Sequence, residues 1–329
     1  ITDLKPVFSN HIYGGIHMKK LFSIFFVFTL SIILVGCSSS NAENKKVRIG
    51  YQKNGTTLLL KANGELESRL KELGYSVEWS EFNTGSSILE ALNSGAIDFA
   101  NASDAPSVMA LSKGMNFKYI AAENSSPQME GILVKNNDAI QSIEQLKGKK
   151  IAYNKASISE YLLVSALATA NLTLDDVQSV ILSPADANIA FENGDVDAWA
   201  IWDPYMTVSE SKGNKILTTA EGIVEHRSFY YASEKFITSN NDAVVAYVEE
   251  LAKIGEAIDS DSTEAAEILE ENTGIPADVW STSLARRSSV ATYLDEVAQA
   301  DLKRLNEDLY DIGLTTNLIE NIENYIWKP

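Results

Sequence analysis

The chain of 329 residues has a single cysteine, Cys37, so no disulfide within the chain is available to staple it. Histidine is nearly as scarce. Of the three, His11 and His17 lie close to the start and only His226 remains in the body of the chain. One cysteine and one distant histidine cannot assemble a zinc site of the usual types, so no metal and no cofactor is expected. A Ser-His-Asp triad would have to use His226, which reads as part of a surface turn, Glu225-His226-Arg227. Basic residues are also in deficit: 27 Lys and Arg stand against 45 Asp and Glu, a formal net charge of -18. That excludes the basic face a nucleic-acid binder needs. The one long apolar run, Leu21–Val35, would make a helix of about 22 Å, short of the roughly 30 Å hydrocarbon core of a bilayer.

What the N-terminal region does contain is ordered. Met18-Lys19-Lys20 is positive, the apolar run follows, and Leu34-Val35-Gly36-Cys37 closes it. This is the layout of a secretion signal over residues 18–36. Leu-Val-Gly-Cys is similar to a bacterial lipobox, in which the cysteine is diacylated, and two acyl chains anchor a protein stably to a membrane. Residues 1–17 precede that start and are expected to be a non-native leader. Residues 37–46 are then a lipidated cysteine and a small, polar tether.

From Val47 on, the chain repeats itself. Ala91-Leu92-Asn93-Ser94-Gly95-Ala96-Ile97-Asp98 returns as Ala190-Phe191-Glu192-Asn193-Gly194-Asp195-Val196-Asp197, and Arg48-Ile49-Gly50-Tyr51-Gln52-Lys53 is answered by Lys150-Ile151-Ala152-Tyr153-Asn154-Lys155. Strand-like and helix-like segments alternate within each copy, which predicts parallel α/β sheets in two similar lobes facing each other across a gap. The helix after Tyr51 is expected to be capped by Thr56 or Thr57 and stopped by Gly74. Residues 47–131 plus 230–329 are assigned to one lobe and 132–229 to the other, with the hinge near Ile132–Val134 and Phe229–Tyr231. The helical stripes after Asp242 are expected to pack on the first lobe.

In such sheets a ligand sits beyond the carboxyl ends of the strands, where helices begin and unpaired N–H groups favour an anion. Four corners qualify: Gln52 and Lys53; Ser103 and Asp104; Asn154 to Ser159; and Trp202 and Asp203. Ser157 and Ser159 offer two hydroxyls at one helix start; a plain serine N-cap is the other reading of Ser159. Asp203-Pro204 and Asp104-Ala105-Pro106 suit N-caps, with ligand contact as the alternative. Trp202 offers an apolar face to a ligand or fills the core; Trp199 fits the core.

The runs Arg48–Lys53, Leu89–Asp98, Ser103-Asp104-Ala105-Pro106, Pro184-Ala185-Asp186-Ala187, Trp199-Ala200-Ile201-Trp202-Asp203-Pro204-Tyr205 and Ser228-Phe229-Tyr230-Tyr231-Ala232 resemble those of the aliphatic sulfonate-binding proteins of ABC importers. The resemblance spans 47–329. It implies a two-lobed α/β type II periplasmic-binding-protein fold and a non-enzymatic, monomeric receptor. Such a receptor passes an alkanesulfonate to a membrane permease with its ATPase, for sulfur acquisition, from the outer face of the cytoplasmic membrane. It implies ligand contacts from Gln52, Ser103, Ser157 and Ser159 around the headgroup, Trp202 and Tyr230 along the tail, and Asp104 and Asp203 fixing the corners. The family's Gly-Ser-Ser turn, with a histidine soon after it, reads here as Ala156-Ser157-Ile158-Ser159-Glu160, where Glu160 is placed either to repel an anion or to bind an amine. Receptors for taurine, nitrate or a thiamin pyrimidine precursor are the near alternatives, and a pyrimidine-synthesising enzyme on the same fold the distant one.

Overall fold

The computed structural model describes residues 45–136 and 139–329. The leader 1–17, the signal 18–36 and Cys37 lie outside the described residues. So does the tether 37–46, apart from its last two residues, Lys45 and Lys46, which already pair with Tyr75 and Ser76 in a sheet.

Ten strands are described: β1 Lys45–Tyr51, β2 Tyr75–Glu81, β3 Phe99–Ser103, β4 Lys118–Ala122, β5 Glu130–Val134, β6 Lys150–Tyr153, β7 Gln178–Ile181, β8 Ala198–Trp202, β9 Lys215–Thr219 and β10 Ser228–Ala232. They form two five-stranded sheets, in the orders β2-β1-β3-β10-β4 and β7-β6-β8-β5-β9. Helices fill the connections, as the alternation of segments predicts. The repeat is physical. Asp98 and Asp197 close their copies in the same way, their N–H groups donating to the carbonyls of Arg48 (2.7 Å) and Lys150 (2.8 Å). Gly95 and Gly194 precede them with φ of 75° and 78°, a left-handed turn that glycine adopts without strain.

The sheets are not wholly parallel. β10 runs antiparallel between β3 and β4, and β5 antiparallel between β8 and β9. Each is the strand with which the chain enters one sheet after leaving the other. Both are buried on both faces, so their apolar runs carry no sign of direction. Ile132–Val134 and Phe229–Tyr231 are therefore sheet interior, bonded on two sides, rather than hinges. The chain changes sheets in 123–129 and again in 220–227.

Three local expectations are corrected. The helix after β1 begins at Gly55 behind Asn54, with Thr56 and Thr57 buried inside it, and Gly64 at φ 70° breaks it into Gly55–Asn63 and Glu65–Glu72 before Gly74. The C-terminal helices do not serve the first lobe alone. Asn241–Ser260 does, stacking Tyr247 on Phe99 with ring centroids 4.4 Å apart. Glu296–Asp311, in contrast, buries Leu302, Leu305 and Leu309 in a cluster that also holds Val108 of the first lobe and Tyr161 and Leu162 of the second. Each such leucine contributes about 2 kcal/mol of burial, enough to tie this helix to both.

Candidate functional site

Four helices start at one place between the sheets. Their first turns, or the residues just before them, line a cavity of about 50 Å³: Asn54, Gly85, Ser103 and Ser157 with Ile158. The helices are Gly55–Asn63, Gly85–Asn93, Asp104–Ser112 and Ile158–Thr169. Asn54, Ser103 and Ser157 are N-cap residues with extended backbones, yet none of their side chains closes a capping hydrogen bond onto its own helix. N–H groups at these ends are unpaired within the helices, and the macrodipoles sum to positive potential in the gap.

Gly55 is required at this point. Its φ is +53°, and an added Cβ would collide with the guanidinium of Arg287. That arginine, from a distant loop, lines the same cavity. Its Nη2 donates to Glu123 and, at 3.3 Å, to Thr56, while Tyr230 donates its hydroxyl to the same Glu123 at 2.7 Å. Burial works against the arginine's charge more than any single neighbour favours it, but Glu123, Tyr230 and Asp259 together raise the pKa. A buried guanidinium with its counter-charge on the far side is a ready partner for an anion.

His226 also lines the cavity and is 5% exposed, not part of a surface turn. Burial, and Arg287 beside it, push its pKa down to about 3, so the ring is neutral at ordinary pH. Glu130 lies 3.9 Å from its Nδ1, fully buried, with its carboxyl raised well above the usual range by burial and by Asp104. Burial thus disfavours the charged form of both groups next to the cavity. No group of acidic, histidine or cysteine side chains among the described residues is arranged to hold a metal ion.

Of the eight residues singled out from sequence, five meet in this cavity: Gln52, Ser103, Ser157, Trp202 and Asp203. Gln52 donates to the Asn101 carbonyl at 3.3 Å. Ser157 donates to the Asn154 carbonyl at 2.5 Å and shares a 2.9 Å bond with Ser159. Ser159 itself is fully buried behind it, so it supports Ser157 from behind. Tyr230 is fully buried on Glu123 and reaches the cavity only through Arg287. Asp104 faces away: its carboxyl accepts from the N–H of Ala105 and of Arg227. Asp203 is not itself the N-cap: Pro204 is, and the helix starts at Tyr205, but the Asp203 carboxyl still accepts from the N–H and hydroxyl of Thr207 in its first turn, at 2.9 and 2.7 Å.

The altered turn is resolved by its own bonds. Glu160 accepts from the Ala156 N–H at 2.7 Å and so faces its own loop, not the cavity. Ala156 stands at φ +53°, a conformation natural to glycine. A second pocket of about 70 Å³ shares Gln52, Asn54 and Trp202 with the first and is walled on its other side by Phe82, Pro204 and Tyr205. Arg287 and His226 escaped the sequence reading. The adjacent arginines 286–287 in an acidic chain were the available signal for one; nothing local marked the other.

The chain is similar in sequence and in fold to known binding proteins. The family model described as NMT1/THI5 like matches residues 70–258. The periplasmic aliphatic sulphonate binding protein of Escherichia coli is 33% identical in sequence; the match covers 87% of this chain and 92% of that one, with a TM-score of 0.76. The alkanesulfonate-binding protein of Xanthomonas axonopodis pv. citri, solved bound to MOPS, is 30% identical, with 86% and 98% covered and a TM-score of 0.80. A Bacillus subtilis (strain 168) protein named for aliphatic sulfonates is 30% identical, covering 92% of either chain.

Proposed function

Because the chain belongs to the NMT1/THI5-like family and to its relatives the aliphatic sulfonate-binding proteins, which are binding proteins and not enzymes, we propose that it captures an alkanesulfonate for an ABC importer. The observation that carries this reading is the meeting of four helix N-termini with Ser103, Ser157, Gln52 and Arg287 around one small cavity. A sulfonate is a permanent anion with three acceptor oxygens. Backbone N–H groups, hydroxyls and one guanidinium satisfy it without any proton transfer. The cavity's volume of about 50 Å³ suits a headgroup rather than a whole ligand. The tail then leaves past Trp202 toward Phe82 and Tyr205.

Loading requires the two lobes to part, with the motion in the connections 123–129 and 220–227. Arg286, on the first lobe, bridges to the second through Thr207 (2.7 Å), Glu210 (2.6 Å) and Asp203 (3.4 Å) and would latch the closed form. The receptor works as a monomer on the outer face of the cytoplasmic membrane, held by a lipid on Cys37. It passes its ligand to a permease driven by a cytoplasmic ATPase, for sulfur acquisition. Replacing Cys37 with alanine should release it from membrane fractions.

Calorimetry against ethane-, butane- and octanesulfonate, with taurine, sulfate and nitrate alongside, tests the ligand class. Binding confined to the alkanesulfonates supports the reading. Preference for taurine or nitrate moves the protein to another ligand, and silence across the set removes the anion assignment. Small-angle scattering tests the closure: an unchanged shape at saturation would refute it.

A further inference from the structure

Behind the candidate site lies a larger cavity, of about 350 Å³, that the sulfonate reading does not use. The two cavities share their walls. His226 and Ser228 line the front one while Arg227 between them lines the rear; Ser103 lines the front and Asp104 the rear. The rear cavity is also bounded by parts of both lobes and of the connections between them. Pro127 and Gly222 come from the two connections, Tyr161 from a helix of the second lobe, and Asp301 and Asp308 from the helix Glu296–Asp311.

Its charge is arranged as two poles. At one end the Arg227 side chain, 6% exposed, pairs with Asp301, which also pairs with Arg304 at 2.8 Å. Two guanidiniums therefore share one carboxylate at this end, Arg227 buried and Arg304 more than half exposed, while Glu225, also on the lining, accepts the Ser125 hydroxyl. Arg227 donates Nη1 to the Glu123 carbonyl at 2.7 Å, but its buried Nε has no partner among the described residues. One turn further along the helix from Arg304, Asp308 accepts only the Tyr161 hydroxyl, at 3.3 Å, and has no ion pair among the described residues. Four residues of helix separate Arg304 from Asp308 by about 6 Å. Phe229, Leu302 and Leu305 supply apolar wall between and around them.

We propose that the rear cavity binds a small zwitterion whose opposite charges lie about one helical turn apart, carboxylate toward Arg227 and Arg304 and ammonium toward Asp308, and that its occupancy is coupled to ligand binding in front. An anion alone would meet the carboxylates, and a cation alone would meet the arginines; only a molecule carrying both charges satisfies both poles. Coupling follows from the shared walls, and it is reciprocal. The coupling half rests on the front cavity being the ligand site; the binding half does not.

The test uses 4-aminobutyrate as probe, with butyrate and butylamine as one-charge controls, on the whole purified protein. At tenfold excess over its dissociation constant the zwitterion should raise the melting temperature by roughly 2–4 °C, and the controls should not. Asp308→Asn and Arg304→Gln should each abolish that rise while butanesulfonate affinity in the absence of the zwitterion stays within about twofold of the parent. Saturating 4-aminobutyrate should change butanesulfonate affinity by about threefold or more. No thermal shift with the zwitterion, an equal shift with either control, or a shift that survives both substitutions would overturn the site. Stabilisation with unchanged butanesulfonate affinity would overturn the coupling. If butanesulfonate does not bind at all, the sulfonate reading fails on its own and the thermal-shift arm still decides the rear site.

Discussion

Asp104 and Asp203 occupy equivalent places in two sheets built alike, each directly after the middle strand of its five-stranded sheet, β3 or β8. Their surroundings differ. Asp104 turns to the rear, accepts the Arg227 N–H, and is held up to about 7 by burial against the opposing pull of those backbone bonds and of Arg227. Asp203 stays at the front, lining the cavity, bonded to Thr207 and to Arg286 of the opposite lobe. The repeat thus builds the frame twice, while the site is assembled once, from two corners of each lobe plus Arg287, which belongs to neither copy. Symmetry in sequence located the gap; the asymmetry of what was later added decides what the gap can hold.

The strongest way to break that account is through the two adjacent arginines. Arg287→Gln should lower butanesulfonate affinity by about 100-fold or more and lower the melting temperature as well, because Glu123 is left buried without its counter-charge. An affinity within threefold of the parent in calorimetry would remove Arg287 from the site. Asp104 makes the next test, through pH. An unfolded aspartate titrates near 3.8 and folded Asp104 near 7, so the native state holds an extra proton between them. Its contribution to stability is complete below 3.8 and is lost as pH rises through about 7. His226 acts in the opposite sense, since its folded pKa is depressed to about 3. Asp104→Asn should therefore make stability rise more steeply with pH across this window than in the parent, in urea titrations from pH 4.5 to 7.5. Parallel curves would place Asp104 in water.

Smaller effects sharpen the contrast between corners. Ser157→Ala should weaken butanesulfonate about tenfold, since its hydroxyl, turned from the Asn154 carbonyl to the sulfonate, makes a hydrogen bond to a charged group worth about 1.5–3 kcal/mol, whereas Ser159→Ala, one layer back, should cost threefold or less. Equal losses would put both serines on the ligand. Arg286→Gln should cost only about three- to fivefold, entirely as faster dissociation in stopped-flow measurements, because it touches the latch and not the ligand; a slower association instead would contradict the latch. The smallest change is Ala156→Gly, which should stabilise the fold by about 1 kcal/mol by relieving the left-handed backbone. Destabilisation would show that the turn is held by its side chain.

Much of this was legible in the chain itself. The duplicated Asn-Ser-Gly-Ala-Ile-Asp and Glu-Asn-Gly-Asp-Val-Asp turns fixed the two lobes, and extended segments running into Ser or Asp marked the corners that line the cavity. What could not be read has a common cause. The direction of β5 and β10, the turning of Asp104 to the rear, and the arrival of His226 and Arg287 all depend on contacts with partners roughly 65 to 230 residues away in the chain, and local periodicity carries no information at that range. Tyr230 illustrates the point: its position in an aromatic strand reads as a ligand wall, but its hydroxyl is spent on Glu123, more than 100 residues away.

The most direct test of the central claim is a crystal structure of the protein with 3-bromopropanesulfonate, locating bromine by its anomalous signal. The account predicts the sulfonate among Asn54, Ser103, Ser157 and Arg287, and the bromine beside Trp202 toward Phe82 and Tyr205. Sulfonate density in the rear cavity, or bromine pointing inward to His226, would contradict it.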